Sequence, residues 1–125
     1  MSDSKKDLEM TKQPEAKVSS AIMKAWRKMD AWAFKVHGSE FQPAGIPDIC
    51  GIYRGRSVWC ETKMPGNKPS QIQRYRMNAI IDAGGMCVVA YSVQQAVQML
   101  EHIEARDCTH ALNVCAYRTK FELDA

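Results

Sequence analysis

The spacing of apolar residues predicts that the chain begins with a helix followed by a strand. The helix begins near Pro14, a residue that suits the first helical turn, and runs to about Met29. Its apolar residues recur at helical intervals along one face, and they are Val18, Ile22, Ala25 and Met29. Residues 31–37 alternate apolar and other side chains, which indicates a half-buried strand.

The second half of the chain contains clear helix boundaries. Ser70, with Gln73 three residues later, forms a capping box that opens a helix ending at the Ala83-Gly84-Gly85 segment. The nearly continuous apolar run 86–91 is typical of a strand that is buried on both faces. A second capping box at 92–95 opens a helix that extends to about residue 104. The residues of this helix predicted to face inward are Val93, Ala96, Val97 and Leu100.

Helices that alternate with strands in this order predict an α/β fold, in which a mixed central sheet is flanked by helices. Residues 1–12 are charged and lack periodicity, so we expect a flexible arm. Residues 13–125 are predicted to form a single domain, since the whole chain has 125 residues. The tail 105–125 carries the weakest pattern, and residues 111–117 are compatible with an extra strand or with part of a dimer contact.

The charge and the cysteines indicate the kind of partner and the cellular compartment. The net charge is +3, and the stretch between Arg54 and Arg76 holds six basic residues against the single acid Glu61. Such a concentration suits a phosphate backbone. The five cysteines are odd in number and contain no CxxC pair, which predicts free thiols in a reducing compartment. With a polar amino terminus and no apolar run that could span a bilayer, we expect a cytoplasmic protein without a membrane partner.

The two predicted strands that flank Arg54-Gly55 bring together residues that could form a metal site. Glu61 and Lys63 share one face of their strand, because side chains along a strand alternate. If Arg54-Gly55 is a two-residue hairpin loop, Asp48 lies directly opposite Glu61. Cross-strand Cβ atoms are then about 4.5–5.5 Å apart, so the two carboxylates could hold one divalent cation. A three-residue loop would pair Asp48 with Thr62 and turn it to the other face.

Each of these acids also has an ordinary structural explanation. Glu61 and Lys63 could form a solvated strand face, and Asp48 could belong to a simple turn. Glu15 falls on the apolar stripe of the first helix, where an acid can merely complement the helix dipole. A carboxylate that faces the sheet could also reach the metal site, directly or through water. Phe41, in the loop before Asp48, is a possible base-stacking group or a cover for the core.

The GIPD turn at 45–48, the short hairpin and the ETK segment at 61–63 together resemble the catalytic motif of the PD-(D/E)XK nuclease superfamily. Further matches are Glu15, the SQIQ segment at 70–73 and the Gly-Gly pair before an apolar strand. With them, residues 14–91 resemble the VRR-Nuc (viral-type replication-repair nuclease) family, which is related to archaeal Holliday junction resolvases. The resemblance implies a restriction-endonuclease-like fold with an αβββαβ core. It leaves the tail unmatched.

The resemblance also implies roles for individual residues. Asp48 and Glu61 would be ligands of Mg²⁺ or Mn²⁺, and the backbone carbonyl of Thr62 would contribute a further ligand. Glu15 would complete or bridge the metal shell as the acid of the first helix.

The remaining matches concern catalysis and DNA binding. Lys63 would correspond to the motif lysine, and Gln73 to the helix glutamine near the site. A lysine must lose most of its usual charge to act as a base. Lys63 is therefore expected to orient water or to stabilise negative charge. The basic residues predicted to contact DNA are Lys35, Arg54, Arg56, Lys68, Arg74 and Arg76.

These features predict a metal-dependent, structure-selective endonuclease that hydrolyses phosphodiester bonds in branched DNA such as Holliday junctions. The resemblance extends to minimal phage-encoded members of the family and implies a homodimer. One alternative is a flap or restriction-like nuclease with the same site. Another is a nucleic-acid-binding module without catalysis.

Overall fold

A computed structural model describes residues 14–106 and 116–124. They form three helices and four strands: α1 (Pro14–Lys28), β1 (Trp32–Lys35), β2 (Ile49–Tyr53), β3 (Arg56–Thr62), α2 (Gln71–Asp82), β4 (Met86–Ala90) and α3 (Val93–Arg106). A short 3-10 helix follows at Ala116–Arg118. The arm predicted at 1–12 lies outside the described residues.

The strands form one mixed sheet in the order β1-β2-β3-β4. The pairs β1–β2 and β2–β3 are antiparallel, whereas β3 and β4 are parallel. The parallel pair is joined through α2, as a crossover connection requires. This arrangement confirms the predicted α/β fold with a mixed sheet and an αβββαβ core.

The β2–β3 hairpin has the two-residue loop on which the predicted site depends. Arg54 and Gly55 both have positive φ, at 50° and 78°, and Tyr53 pairs with Arg56. Two central residues in the left-handed region match the twist of the flanking strands. Because Ile49 pairs with Cys60, the residue before Ile49 faces Glu61.

Helices α1 and α3 cover one face of the sheet and enclose the larger part of the core. The buried line of α1 runs through Ser19, Ile22 and Trp26, so it is rotated slightly from the predicted stripe. Trp26 donates its indole N–H to the Ala96 carbonyl at 3.1 Å, and Ser19 also has a buried partner. Polar groups that find such partners can be buried at low cost, which explains the rotation.

The inward face of α3 also differs from the predicted one. Its buried residues are Ala96, Met99, Leu100 and Ile103, whereas Val93 and Val97 are only half-buried. At the start of this helix Ser92 accepts from the Gln95 amide, but the Gln95 side chain accepts from Tyr91 and not from Ser92. The predicted capping box is therefore complete only at Ser70 and Gln73 of α2.

Helix α2 covers part of the opposite face, where a smaller cluster contains Met77, Ile81 and Cys87. Phe121 packs against this cluster, and its backbone exchanges two hydrogen bonds with the Asn78 side chain, at 2.7 and 2.9 Å. The described end of the chain is thus attached to α2. Within the segment 111–117, only the last two residues are described, and they lie in the 3-10 helix.

Strand β1 is shorter than predicted and has an unusual orientation. Its small residue Ala33 faces the core, while Trp32 and Phe34 face away from it and are exposed. The Ala33 carbonyl, at the sheet edge, accepts hydrogen bonds from the Arg27 guanidinium at 2.9 and 3.3 Å. An edge strand whose carbonyl is occupied in this way is a poorer template for pairing with another chain.

Three cysteines lie in the described ranges, and Cys50, Cys60 and Cys87 are all free thiols, as predicted. Burial raises the pKa of the Cys87 thiol to about 12. Of the helices in residues 14–106 and 116–124, none has the length and apolar character needed to cross a bilayer.

We expect Gly51→Ala to destabilise the fold, because a Cβ at Gly51 would lie 2.5 Å from the carbonyl oxygen of Trp32 on the neighbouring strand. Forcing β1 and β2 apart should reduce the free energy of unfolding by about 1–3 kcal/mol. Urea denaturation would measure the free energy of unfolding of each variant. Gly38→Ala is the matched control, since a Cβ at Gly38 would meet nothing within 4 Å; equal losses in both variants would contradict the packing argument.

Candidate metal centre

Three carboxylates meet at one end of the sheet. Glu15 lies in the first turn of α1, Asp48 directly precedes β2, and Glu61 lies near the end of β3. Each offers a carboxylate oxygen, and these oxygens all lie within 4.8 Å of one another. The structure therefore brings together the acids predicted from sequence.

Asp48 is held in place by the strand that carries Glu61. Its Oδ2 accepts a hydrogen bond from the Thr62 amide at 2.9 Å. This bond fixes the carboxylate across the hairpin. The metal-binding role predicted for the Thr62 carbonyl stays a prediction.

The side chain of Thr62 links the same strand to α1. Its Oγ1 accepts from the buried Ser19 hydroxyl at 3.0 Å, on the sheet face opposite to Glu61. Ser19 lies four residues after Glu15, one helical turn further along the same face. The contact therefore anchors the turn that carries Glu15 beside the sheet end. Sequence reasoning missed Ser19, although its four-residue spacing from Glu15 was a usable signal.

Glu61 is the buried member of the site, with only 2% of its surface exposed. Its Oε1 accepts from the Gln73 amide at 3.1 Å, and Lys63 Nζ lies 3.8 Å from the same oxygen. The predicted proximity of Lys63 and Gln73 to the site is thus present in the fold. The other oxygen, Oε2, is buried and has no hydrogen-bond partner among the described residues.

The surroundings of Glu61 disfavour its ionised form. Burial, followed by the repulsion from Asp48 and with a further contribution from Glu15, raises the pKa of Glu61 to about 8. Lys63 lowers that pKa but does not offset the other effects. A cation bound among the three acids would take the place of the proton.

This donor set fits a hard divalent cation. Carboxylate oxygens are the ligands that Mg²⁺ and Mn²⁺ prefer, and Glu61 Oε2 is a buried acceptor with no other described use. An unpaired carboxylate oxygen in the interior is costly without a ligand. Glu15, Asp48 and Glu61 are therefore the residues that would hold the ion, and their role as metal ligands stays a prediction.

The loop before Asp48 is fastened to α2. Arg76 Nε donates to the Ala44 carbonyl at 3.0 Å, and a Cβ at Gly45, whose φ is +82°, would lie 2.7 Å from the Ile72 carbonyl. Phe41 at the loop surface is 89% exposed, so it does not cover the core. A cavity of about 370 Å³ lies between this loop and Asp48.

The predicted DNA-binding residues are spread over several surfaces. Lys68 is exposed in the loop after Lys63, close to the acids in sequence. Lys35 is half-buried and pairs with Ile49, the residue after Asp48.

The predicted arginines lie elsewhere. Arg54 and Arg56 lie at the hairpin turn, which is at the opposite end of β2 and β3 from the acids. Arg74 forms an ion pair with Asp124 at 2.9 Å, and Arg76 holds the Ala44 carbonyl. Arg74 and Arg76 therefore have intramolecular partners that sequence could not anticipate. A role in DNA binding stays a prediction for all of the basic residues.

The fold is similar to that of a VRR_NUC domain of known structure. No family model matches the chain, and no curated protein matches it. A solved structure of a VRR_NUC domain superimposes with a TM-score of 0.61 at 23% sequence identity, covering 70% of this chain and 95% of that one. The chain therefore has the fold of a VRR_NUC domain, which confirms the fold implied by the sequence resemblance.

Without divalent cations, the stability of the protein should fall as the pH rises from about 4.5 to 8. The pKa of Glu61 is about 8 in the folded state against an ordinary value of 4.5, so the unfolded chain releases its proton first. The stabilisation that comes from protonated Glu61 is fully present below pH 4.5 and is lost as the pH rises towards 8, at up to ~1.4 kcal/mol per pH unit. Urea denaturation in chelator would measure this slope, and Glu61→Gln should flatten it. Identical slopes for both proteins would contradict the assignment.

Cations should bind through all three acids. We expect Asp48→Asn and Glu15→Gln to weaken Mn²⁺ binding by at least about tenfold, since even outer-shell changes at metal sites cost that much. Isothermal titration calorimetry would measure the affinity, and a rise in melting temperature with cation would report it independently. Glu101→Gln, an exposed acid on α3, is the control. If Glu15→Gln binds like the control, Glu15 is not a ligand.

Proposed function

We propose that this protein is a metal-dependent DNA endonuclease of the VRR-Nuc type, within the PD-(D/E)XK superfamily, that cuts branched DNA such as Holliday junctions. The observation that carries the proposal is the cluster of Glu15, Asp48 and Glu61, with Lys63 3.8 Å from Glu61, at one end of a VRR_NUC-like sheet. A structural role does not explain three acids collected around a buried, unpaired oxygen.

Phosphodiester hydrolysis needs a positioned water, neutralisation of the charge that develops on the phosphate, and support for the leaving 3′ oxygen. A divalent cation held by Asp48 and Glu61 would supply Lewis-acid polarisation of the phosphate. Mg²⁺ and Mn²⁺ both suit this oxygen-rich site.

The side chains around the acids have separate tasks in this proposal. Lys63 stabilises negative charge on the phosphate or orients the water, because its ammonium lies on the same face as Glu61. Gln73 positions Glu61 by donating to its Oε1. The Thr62 amide does the same for Asp48. Preorganised donors of this kind lower the cost of assembling the charged site during the reaction.

Branched DNA and a homodimer are the finer parts of the proposal. The described residues, 14–106 and 116–124, present one set of acids, whereas a junction has two strands to be cut. A symmetric dimer would supply paired sites. The flap or restriction-like nuclease remains the enzymatic alternative, since it would use the same residues on a different substrate.

The decisive experiment is cleavage of labelled DNA. A four-way junction, a flap, a nicked duplex and a plain duplex should be incubated with Mg²⁺, with Mn²⁺ and with chelator. We expect cation-dependent cuts that favour the branched substrates. Lys63→Ala should reduce the rate about a hundredfold or more, as the loss of a charge-stabilising donor does.

The controls separate catalysis from folding and binding. Lys24→Ala removes an exposed lysine of α1 and should cut normally. Asp48→Asn should abolish cleavage while retaining DNA binding in a gel-shift assay. If no substrate is cut with either cation although junction binding persists, the protein is a binding module and the nuclease proposal fails.

A further inference from the structure

The sheet face that carries Asp48 and Glu61 also carries an exposed apolar surface. We call it the aromatic strip, and it consists of Trp32, Phe34 and Ile52. These side chains are 63%, 40% and 53% exposed. Trp32 pairs directly with Ile52, and Phe34 pairs with Cys50, so the strip spans two adjacent strands. Exposed apolar patches of this kind mark binding surfaces.

The strip begins beside the metal centre. Cys50 and Phe34 occupy the cross-strand row next to the one that holds Asp48 and Glu61, on the same face. Two residues along a strand correspond to about 7 Å. Trp32 and Ile52 lie one row further on, about 14 Å from the acids. The strip thus leads away from the position of the scissile phosphate along β1 and β2.

The aromatic rings are arranged before any ligand binds. The centroids of Trp32 and Phe34 are 5.2 Å apart with an interplanar angle of 60°, an edge-to-face contact. This contact restricts both rings at the surface. A cation, Lys63, lies beside the acids near the start of the strip. An apolar surface that begins next to a cation suits a strand whose bases stack while its phosphates meet the positive charge.

A second copy of the chain is a poorer occupant of this surface. A protein packed against Phe34 would lie within one strand row of Asp48 and Glu61, and it would close the site to a phosphodiester. Pairing through the free edge of β1 is also disfavoured, because Arg27 occupies the Ala33 carbonyl there. A nucleic acid bound at the acids lies within one strand row of Phe34.

We infer that the aromatic strip stacks against unpaired bases next to the cleavage site, so that the preferred substrate is branched DNA with a single-stranded segment at the branch. In a duplex the base faces are already stacked on one another, whereas unpaired bases can stack on aromatic side chains. This inference rests on the proposed nuclease function. Among branched substrates, it predicts tighter binding to those that expose unpaired bases at the branch.

Binding should be measured by fluorescence anisotropy with the full chain carrying Glu61→Gln, so that the DNA stays intact. The probes are a fork with a thymidine single-stranded arm, the same fork with an abasic arm, and a plain duplex. Adding Trp32→Ala should weaken binding of the thymidine fork about 5- to 150-fold, the range for losing one base–aromatic stack. It should leave the abasic fork and the duplex unchanged. Trp32→Phe should restore most of the affinity.

Leu123→Ala removes an exposed apolar side chain beside Ile72 and Tyr75 and is the matched surface control. Circular dichroism melting checks that each variant is folded. The inference is overturned if Trp32→Ala binds the thymidine fork like the parent, or if it weakens all three probes equally. It is also overturned if sedimentation shows that Trp32→Ala converts a dimer to a monomer, because a second copy would then cover the strip.

Failure of the nuclease proposal gives a different result. If the unmodified chain cuts no DNA with Mg²⁺ or Mn²⁺ but the arm preference still depends on Trp32, the strip is a single-strand binding site on a protein that does not cut. If the chain cuts forks and junctions without regard to Trp32, the nuclease stands and the inference about the strip falls.

Discussion

The register of the β2–β3 hairpin is the constraint on which the candidate site depends. Arg54 and Gly55 close the hairpin with two residues of positive φ, and this turn places Asp48 opposite Glu61. Because the side-chain period of a strand is two, a shift of one residue would turn Asp48 to the face covered by α1 and α3. The turn at the opposite end of the two strands therefore determines whether Asp48 and Glu61 lie close together.

The candidate metal centre has the features of a ligand-binding site. Glu61 is buried, one of its oxygens has no described partner, and its pKa lies near 8. The contacts with Gln73 and Lys63 lower the free-energy cost of burying Glu61, but part of that cost remains. Local arrangements that weaken a fold are concentrated where function requires them.

The two faces of the sheet have different tasks. Helices α1 and α3 bury one face almost completely and provide most of the core. On the other face α2 covers β3 and β4, while the aromatic strip on β1 and β2 stays exposed beside the acids. The described end of the chain is attached to α2 through Asn78 and Arg74. The larger part of the core thus lies on the face away from the acids and the aromatic strip.

The sequence by itself determined the element order and the candidate acids, because strand period and helix spacing are local properties, whereas it left the hairpin loop open between two and three residues. It also indicated Lys63 and Gln73 through their motif positions. Only the tertiary structure decided that Ser19 joins Thr62, that Arg74 pairs with Asp124, and that Trp32 and Phe34 face outward. An alternating strand pattern does not say which face meets the helices, and contacts over 40 or more residues depend on how the layers pack.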